Sequence, residues 1–125
     1  ACNLFYSKPS PYVGDAHAPK IMQDGKDGDE ELGYIANISD SATAGFKYFD
    51  CKGIKEIKIW VRGYGNGTFE IKTAWDGEVL ATVTLEYTNV WEEYSTPINI
   101  PDGVHAIYIT YRGGGNVSLR SFELI

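Results

Sequence analysis

The stretch GIKEIKIWVRGYGNGTFEIKTAWDG, residues 53–77, decides the fold class. In its first half, apolar residues alternate with charged or aromatic ones, as in IKIWVR at 57–62, and FEIKTA at 69–74 continues the alternation. A period of two is typical of β-strands that bury one face and turn the other outward. The segment Tyr64-Gly65-Asn66-Gly67 between the runs contains an Asn-Gly pair, so we predict that the two strands form a β-hairpin.

One residue of this stretch departs from the pattern. Trp60 lies on the charged face of the first strand, between Lys58 and Arg62. A large ring in that position must either be covered by another part of the protein or serve a ligand.

The rest of the chain supports an all-β fold. Turn signals recur about every 8 to 12 residues, and no stretch has the 3.6-residue period of a helix. Besides the central pair, the predicted strands are 21–23, 32–38, 42–49, 78–85, 95–100, 104–111 and 117–124. We therefore predict an antiparallel β-sandwich of the jelly-roll type over residues 20–125. Residues 1–19, which include three prolines, are predicted to form an extended N-terminal arm or linker.

Composition excludes several classes of partner. The 125 residues carry a net charge of −6, which disfavours nucleic acid and anionic membranes. No apolar run reaches the roughly 20 residues that span a bilayer. The start Ala1-Cys2-Asn3 lacks the pattern of a signal peptide, so we expect a mature or excised piece. Aromatic residues make up 14% of the chain, and nine of them are tyrosines, which suit a partly hydrated binding surface.

Two cysteines leave two alternatives open. Cys2 and Cys51 are predicted either to pair, closing a loop of about 50 residues worth about 4 kcal/mol, or to remain free thiols. Their spacing fits no zinc motif.

No catalytic motif is present in the sequence. It contains no nucleophile elbow, no HExxH and no phosphate-binding loop, and its 17 carboxylates are interpreted as surface charge. The acidic segment DGKDGDEE, residues 24–31, is interpreted either as a solvated loop or as a source of oxygen ligands for calcium.

The large aromatic residues carry more information. Tyr34, Trp60, Trp75 and Trp91 are all predicted at strand edges, loop ends or outward faces. Each alone could pack beneath a loop, but the set predicts at least one ligand platform. A pyranose fits such a platform, because its C–H face stacks on a ring and its hydroxyls need hydrogen-bond partners.

Five segments in order resemble carbohydrate-binding module family 6, in particular the modules that follow catalytic domains of glycoside hydrolase family 43. They are GYIANISDSATAGFKYFD (33–50), NVWEEY (89–94), IPDGVHAIYITYRG (100–113), GGNVSLRSFEL (114–124) and the central pair of strands. The resemblance covers residues 20–125. It implies a β-sandwich that binds xylan, arabinoxylan or β-glucan without catalysis.

The resemblance also implies site residues. Tyr34 and Trp91 match the two rings that enclose one sugar in the family. Ser118 aligns with the asparagine that binds sugar hydroxyls, Asn116 lies two residues earlier, and Glu30 or Glu31 matches the glutamate of the variable loop. A second family site on the concave sheet face would take Trp60, together with Lys58 and Arg62.

The family's structural calcium would use Gln23, Asp24 and Glu123, although the family's paired glutamates are only partly kept in this segment. These assignments follow from the resemblance and not from spacing.

The predicted function is a non-catalytic module that holds a secreted glycoside hydrolase on plant cell-wall polysaccharide. The alternative is a structural module that packs on a neighbouring catalytic domain and binds no sugar itself. The serine at 118 and the proline-rich arm favour this alternative.

Overall fold

The computed structural model describes residues 3–5, 19–23 and 33–125. Within these ranges the chain forms ten β-strands and no helix, which confirms the predicted fold class. The strands are β1 (Asn3–Phe5), β2 (Lys20–Gln23), β3 (Gly33–Ile38), β4 (Thr43–Cys51), β5 (Glu56–Gly63), β6 (Thr68–Lys72), β7 (Ala81–Thr84), β8 (Thr88–Pro97), β9 (Gly103–Arg112) and β10 (Val117–Leu124). The described part of the chain therefore contains no helix that could cross a membrane.

The strands form two five-stranded antiparallel sheets. The first sheet has the order β1-β4-β9-β6-β7, and the second has the order β2-β3-β10-β5-β8. Apart from the consecutive pairs β2–β3 and β6–β7, neighbouring strands come from distant parts of the sequence, as expected for a jelly roll. Strand β1 comes from the region predicted as an N-terminal arm, and it pairs with β4 at the edge of the first sheet.

The core lies between the two sheets and follows the alternation in the sequence. In β5 the odd-numbered residues 57, 59 and 61 are buried, while Lys58, Trp60 and Arg62 remain partly exposed. In β6, Phe69 and Ile71 are fully buried. Removing this apolar surface from water stabilises the sandwich by about 25 cal/mol per Å².

The predicted central hairpin is wrong. Both strands form where the alternation places them, but β5 lies in the second sheet and β6 in the first. Strand β5 pairs with β8 and β10, and β6 pairs with β7 and β9. Residues 64–67 therefore cross from one sheet to the other. Alternation predicts that a segment is a strand, but it carries no information about which strand pairs with it.

The glycines of this crossover serve close packing instead of a tight reversal. A Cβ on Gly67 would overlap the carbonyl oxygen of Arg112, and one on Gly65 would overlap the hydroxyl of Tyr111. The Tyr111 side chain is fully buried. Its hydroxyl donates to the Gly114 carbonyl at 2.6 Å and accepts from the Gly67 N–H at 3.1 Å. This single side chain thus joins the 64–67 crossover to the 113–116 turn.

Cys51 ends β4 as a buried free thiol. Its Sγ lies 3.6 Å from the Phe49 carbonyl, to which it donates. Burial raises the pKa of this thiol, and the carboxylates of Asp50 and Asp102 raise it further. Its predicted partner Cys2 lies outside the described residues.

Candidate functional site

The outer face of the second sheet carries the residues that the sequence singled out. Lys58, Trp60 and Arg62 point outward from β5 because their neighbours in the strand point into the core. On one side of β5, Ser118 of β10 is the register partner of Arg62. On the other side, β8 bulges: Glu92 pairs with Val61 and Thr88 with Gly63, so residues 89–91 lie opposite Arg62 alone. The bulge brings Trp91 to the level of Arg62.

Three side chains meet on this face, and we call them the aromatic cluster: Tyr34, Arg62 and Trp91. The centroids of the Tyr34 and Trp91 rings are 5.3 Å apart, with an angle of 70° between the ring planes. The Arg62 guanidinium carbon lies 4.4 Å from the Trp91 centroid and 5.0 Å from the Tyr34 centroid. Both distances are within the range of cation–π attraction. The cluster joins β3 to β8 across the two strands between them.

The geometry of the cluster differs from that of two rings enclosing a sugar. Stacking a ligand between two rings requires two van der Waals contacts, so the centroids would have to lie about 7 to 8 Å apart. At 5.3 Å and edge to face, Tyr34 and Trp91 touch each other instead. They form a continuous apolar surface with the Arg62 guanidinium in contact with both rings. All three residues are half-buried, so part of this surface faces solvent.

The structure places only some of the predicted hydroxyl-binding residues near the cluster. Ser118 is half-buried beside Arg62. Asn116 is exposed in the turn before β10, and its carbonyl accepts a 2.9 Å hydrogen bond from the Tyr64 N–H. Glu30 and Glu31 lie outside the described residues.

The predicted calcium ligands lie only partly within the described residues. Glu123 is exposed in β10, opposite Lys58 in register. Gln23 ends β2, while Asp24 and the side chain of Gln23 lie outside the described part. Among the described residues, no three His, Cys, Asp or Glu side chains form a group that could hold a metal. Calcium stays a prediction.

Sequence reasoning missed the contact of Arg62 with both rings and the pairing of two further tyrosines. Arg62 was grouped with Trp60 as part of a separate sheet-face site, whereas in the structure it contacts the predicted loop-end rings. Tyr64 and Tyr87 form an exposed ring pair with centroids 5.2 Å apart. The signal for Arg62 was available in the alternation of β5, but its contact with Trp91 depends on the bulge in β8.

The other large aromatic residues occupy separate places. Trp75 lies in the connection between β6 and β7 and packs edge to face on Tyr108, with centroids 6.1 Å apart.

Beside Tyr34, an apolar cavity of about 340 Å³ opens between the sheets. Its walls are mainly apolar and include Phe46, Phe49 and Phe122, with Arg120 and Ser121 among the few polar residues. Walls of this kind offer few partners for sugar hydroxyls, so the aromatic cluster is the better carbohydrate surface.

Comparison with known proteins places this geometry in a known fold. A family 6 carbohydrate-binding module from Clostridium cellulolyticum in complex with xylose superposes with a TM-score of 0.74 at 14% identity, covering 86% of both chains. A β-1,3-glucan-binding family 6 module from Bacillus halodurans superposes with a TM-score of 0.70 at 21% identity, covering 83% of this chain and 84% of the other. The chain thus has the fold of family 6 carbohydrate-binding modules, which confirms the resemblance predicted from its sequence.

A sequence relative indicates the kind of protein in which such a domain occurs. The chain is 62% identical over 130 aligned residues to a xylosidase/arabinosidase of Thermoclostridium stercorarium. The alignment covers 99% of this chain but only 28% of that enzyme. No family model matches the chain.

Proposed function

We propose that this domain is a non-catalytic carbohydrate-binding module that holds an appended glycoside hydrolase on xylan, arabinoxylan or β-glucan of the plant cell wall. The observation that carries the proposal is the aromatic cluster of Tyr34, Arg62 and Trp91 on the outer face of a family 6-type sandwich. Similarity to part of a xylosidase/arabinosidase supports an attached glycosidase. The xylose and β-1,3-glucan complexes of the structural neighbours support the ligand class.

The chemistry of the cluster suits a neutral sugar. The C–H face of a pyranose stacks on the exposed part of the Trp91 or Tyr34 ring, and its hydroxyls accept from the N–H groups of Arg62. Ser118, beside Arg62, can both donate and accept a hydrogen bond.

Tethering supplies the biological effect of such a module. A bound module keeps the linked enzyme near an insoluble polymer and so raises its effective concentration there. Because that polymer is met only outside the cell, the proposal includes secretion of the parent protein.

Affinity electrophoresis in a gel containing soluble xylan or β-glucan tests the proposal. We expect the wild-type domain to be retarded by at least one polymer, and Trp91→Ala to lose on the order of 2 kcal/mol, or about 30-fold in affinity. Trp75→Ala is the matched control, since this tryptophan is exposed on the loop between β6 and β7. Equal retardation of wild type and Trp91→Ala, with both folded, would place the site elsewhere.

Two features of the site favour a second function. Because the two rings contact each other and Arg62, they leave no slot for an enclosed sugar, and Ser118 stands where the family has an asparagine. Both features suit a structural module whose aromatic face packs on a catalytic domain. For this alternative we expect no retardation by any polysaccharide.

A reducing-sugar assay on the same sample tests the proposed lack of catalysis.

A further inference from the structure

Two exposed tyrosines at one end of the second sheet are not used by the proposed site. The rings of Tyr64 and Tyr87 lie 5.2 Å apart at an angle of 51°, and they are 59% and 66% exposed. A pair of large rings that stays in water gives up most of the free energy that burial in the core would provide. Clustered exposed aromatic surface of this kind marks a contact site.

The backbone under Tyr64 is fixed on both sides. Its N–H donates to the carbonyl of Asn116 at 2.9 Å, and its own carbonyl lies so close to Gly115 that a Cβ there would overlap it. The Tyr111 hydroxyl holds the flanking turns together through Gly67 and Gly114.

The backbone that precedes Tyr87 is also held by hydrogen bonds. The N–H of the preceding Glu86 donates to the Tyr94 hydroxyl at 3.1 Å, and buried Leu85 donates its N–H to Gly67 at 2.9 Å. Rings carried by such backbone lose little conformational freedom when a ligand binds, which favours their use as anchors.

The tyrosine pair follows directly on β5 and β8, the strands that carry Arg62 and Trp91 of the aromatic cluster. Gly63 of β5 and Thr88 of β8 are register partners, and Tyr64 and Tyr87 are the next residues beyond this pair. Tyr64 follows Arg62 by two residues, a distance of about 7 Å along a strand. A chain-like ligand that stacks on the cluster and runs parallel to β5 would therefore reach the tyrosines.

We propose that Tyr64 and Tyr87 form a second stacking platform, which binds a further pyranose of the same polysaccharide chain. The inference rests on the proposed function and extends it from a single sugar to an internal stretch of a chain. The side chains of Asn66, Asn89 and Asn116 are exposed around this end of the sheet. Amides both donate and accept hydrogen bonds, as sugar hydroxyls require.

The dependence of affinity on chain length tests this platform. Calorimetric titrations would compare xylobiose with xylohexaose, and cello-oligosaccharides of the same lengths, for wild type, Tyr64→Ala and Tyr87→Ala. We expect each substitution to weaken the long ligand about tenfold and to leave the disaccharide unchanged, since the disaccharide fills only the cluster. Tyr64→Phe should bind like the wild type because it keeps the ring. Tyr48→Ala is the matched control, being 66% exposed on β4 of the other sheet.

The outcomes separate the two proposals. If the wild type binds the long ligand and both alanine variants bind it equally well, the second platform is refuted while the module remains a sugar binder. If the wild type binds no oligosaccharide of any length, the proposed function fails and the platform fails with it. Tyr87→Ala decides the question should Tyr64→Ala not fold, because the Tyr87 side chain is the more exposed of the two.

Discussion

Replacing Tyr111 by phenylalanine removes one oxygen atom and should destabilise the domain measurably. The ring remains packed edge to face on Phe69, with centroids 5.8 Å apart, so no cavity is created. The Gly67 N–H loses its acceptor within a half-buried turn, which costs about 1 to 3 kcal/mol. The Gly114 carbonyl is exposed and can turn to water, so it contributes little. We expect a loss of about 2 kcal/mol in all, or about 8 °C in Tm for a domain of this size.

Thermal denaturation followed by circular dichroism measures this effect, and amide hydrogen exchange locates it. Exchange should accelerate at Gly67 and in the 113–116 turn before it accelerates in β9, because these turns lose the hydroxyl that joins them. Tyr48→Phe is the control, since this exposed tyrosine lies on β4, away from both turns. A Tm within one or two degrees of the wild type, with exchange unchanged, would show that the hydroxyl does not hold the turns together.

Three further predictions follow from other contacts. Gly67→Ala should lower the free energy of unfolding, measured by urea denaturation, by about 2 kcal/mol or more, because its Cβ would overlap the Arg112 carbonyl. Gly114→Ala should be nearly neutral, because nothing lies within 4 Å of its Cβ. Because the pKa of the Cys51 thiol is raised in the folded state, the thiol ionises first in the unfolded state. The free energy of unfolding should therefore not depend on this group below about pH 8.5 and should fall above it, by at most about 1.4 kcal/mol per pH unit. A Cys51→Ala variant with the same pH dependence would exclude the thiol as its source. Trp60→Ala should weaken sugar binding much less than Trp91→Ala in the same calorimetric titration. A larger effect of Trp60→Ala would mean that the sugar site lies at Trp60 on β5.

The sequence predicted the strands better than their partners. Period-two alternation is a local property, so β5, β6, β9 and β10 were predicted close to their observed bounds. Pairing depends on contacts between distant segments. The Asn-Gly pair at 66–67 is typical of a hairpin, yet here Gly67 is needed for its close approach to Arg112. The same residue type satisfies two different steric requirements, and only the tertiary structure distinguishes them.

The candidate site could be predicted in part for the same reason. The resemblance brought Tyr34 and Trp91 into one site, and the structure places their rings in contact. The contact of Arg62 with both rings could not be foreseen, because it requires three residues of β8 to lie opposite one residue of β5. A bulge of this kind has no clear sequence signature when no glycine marks it.

A shallow surface of this kind is sufficient for the proposed role because the affinity it must supply is small. A dissociation constant of ~100 μM corresponds to about −5.5 kcal/mol. Stacking on the aromatic cluster and a few hydrogen bonds worth about 1 kcal/mol each can reach that value after the cost of association. Because there are few contacts, each ring contributes a large share of the binding free energy. Single substitutions at Trp91, Tyr64 or Tyr87 should therefore lower the affinity measurably. Tethering then multiplies the modest affinity, since a module that releases one stretch of polymer remains beside the next.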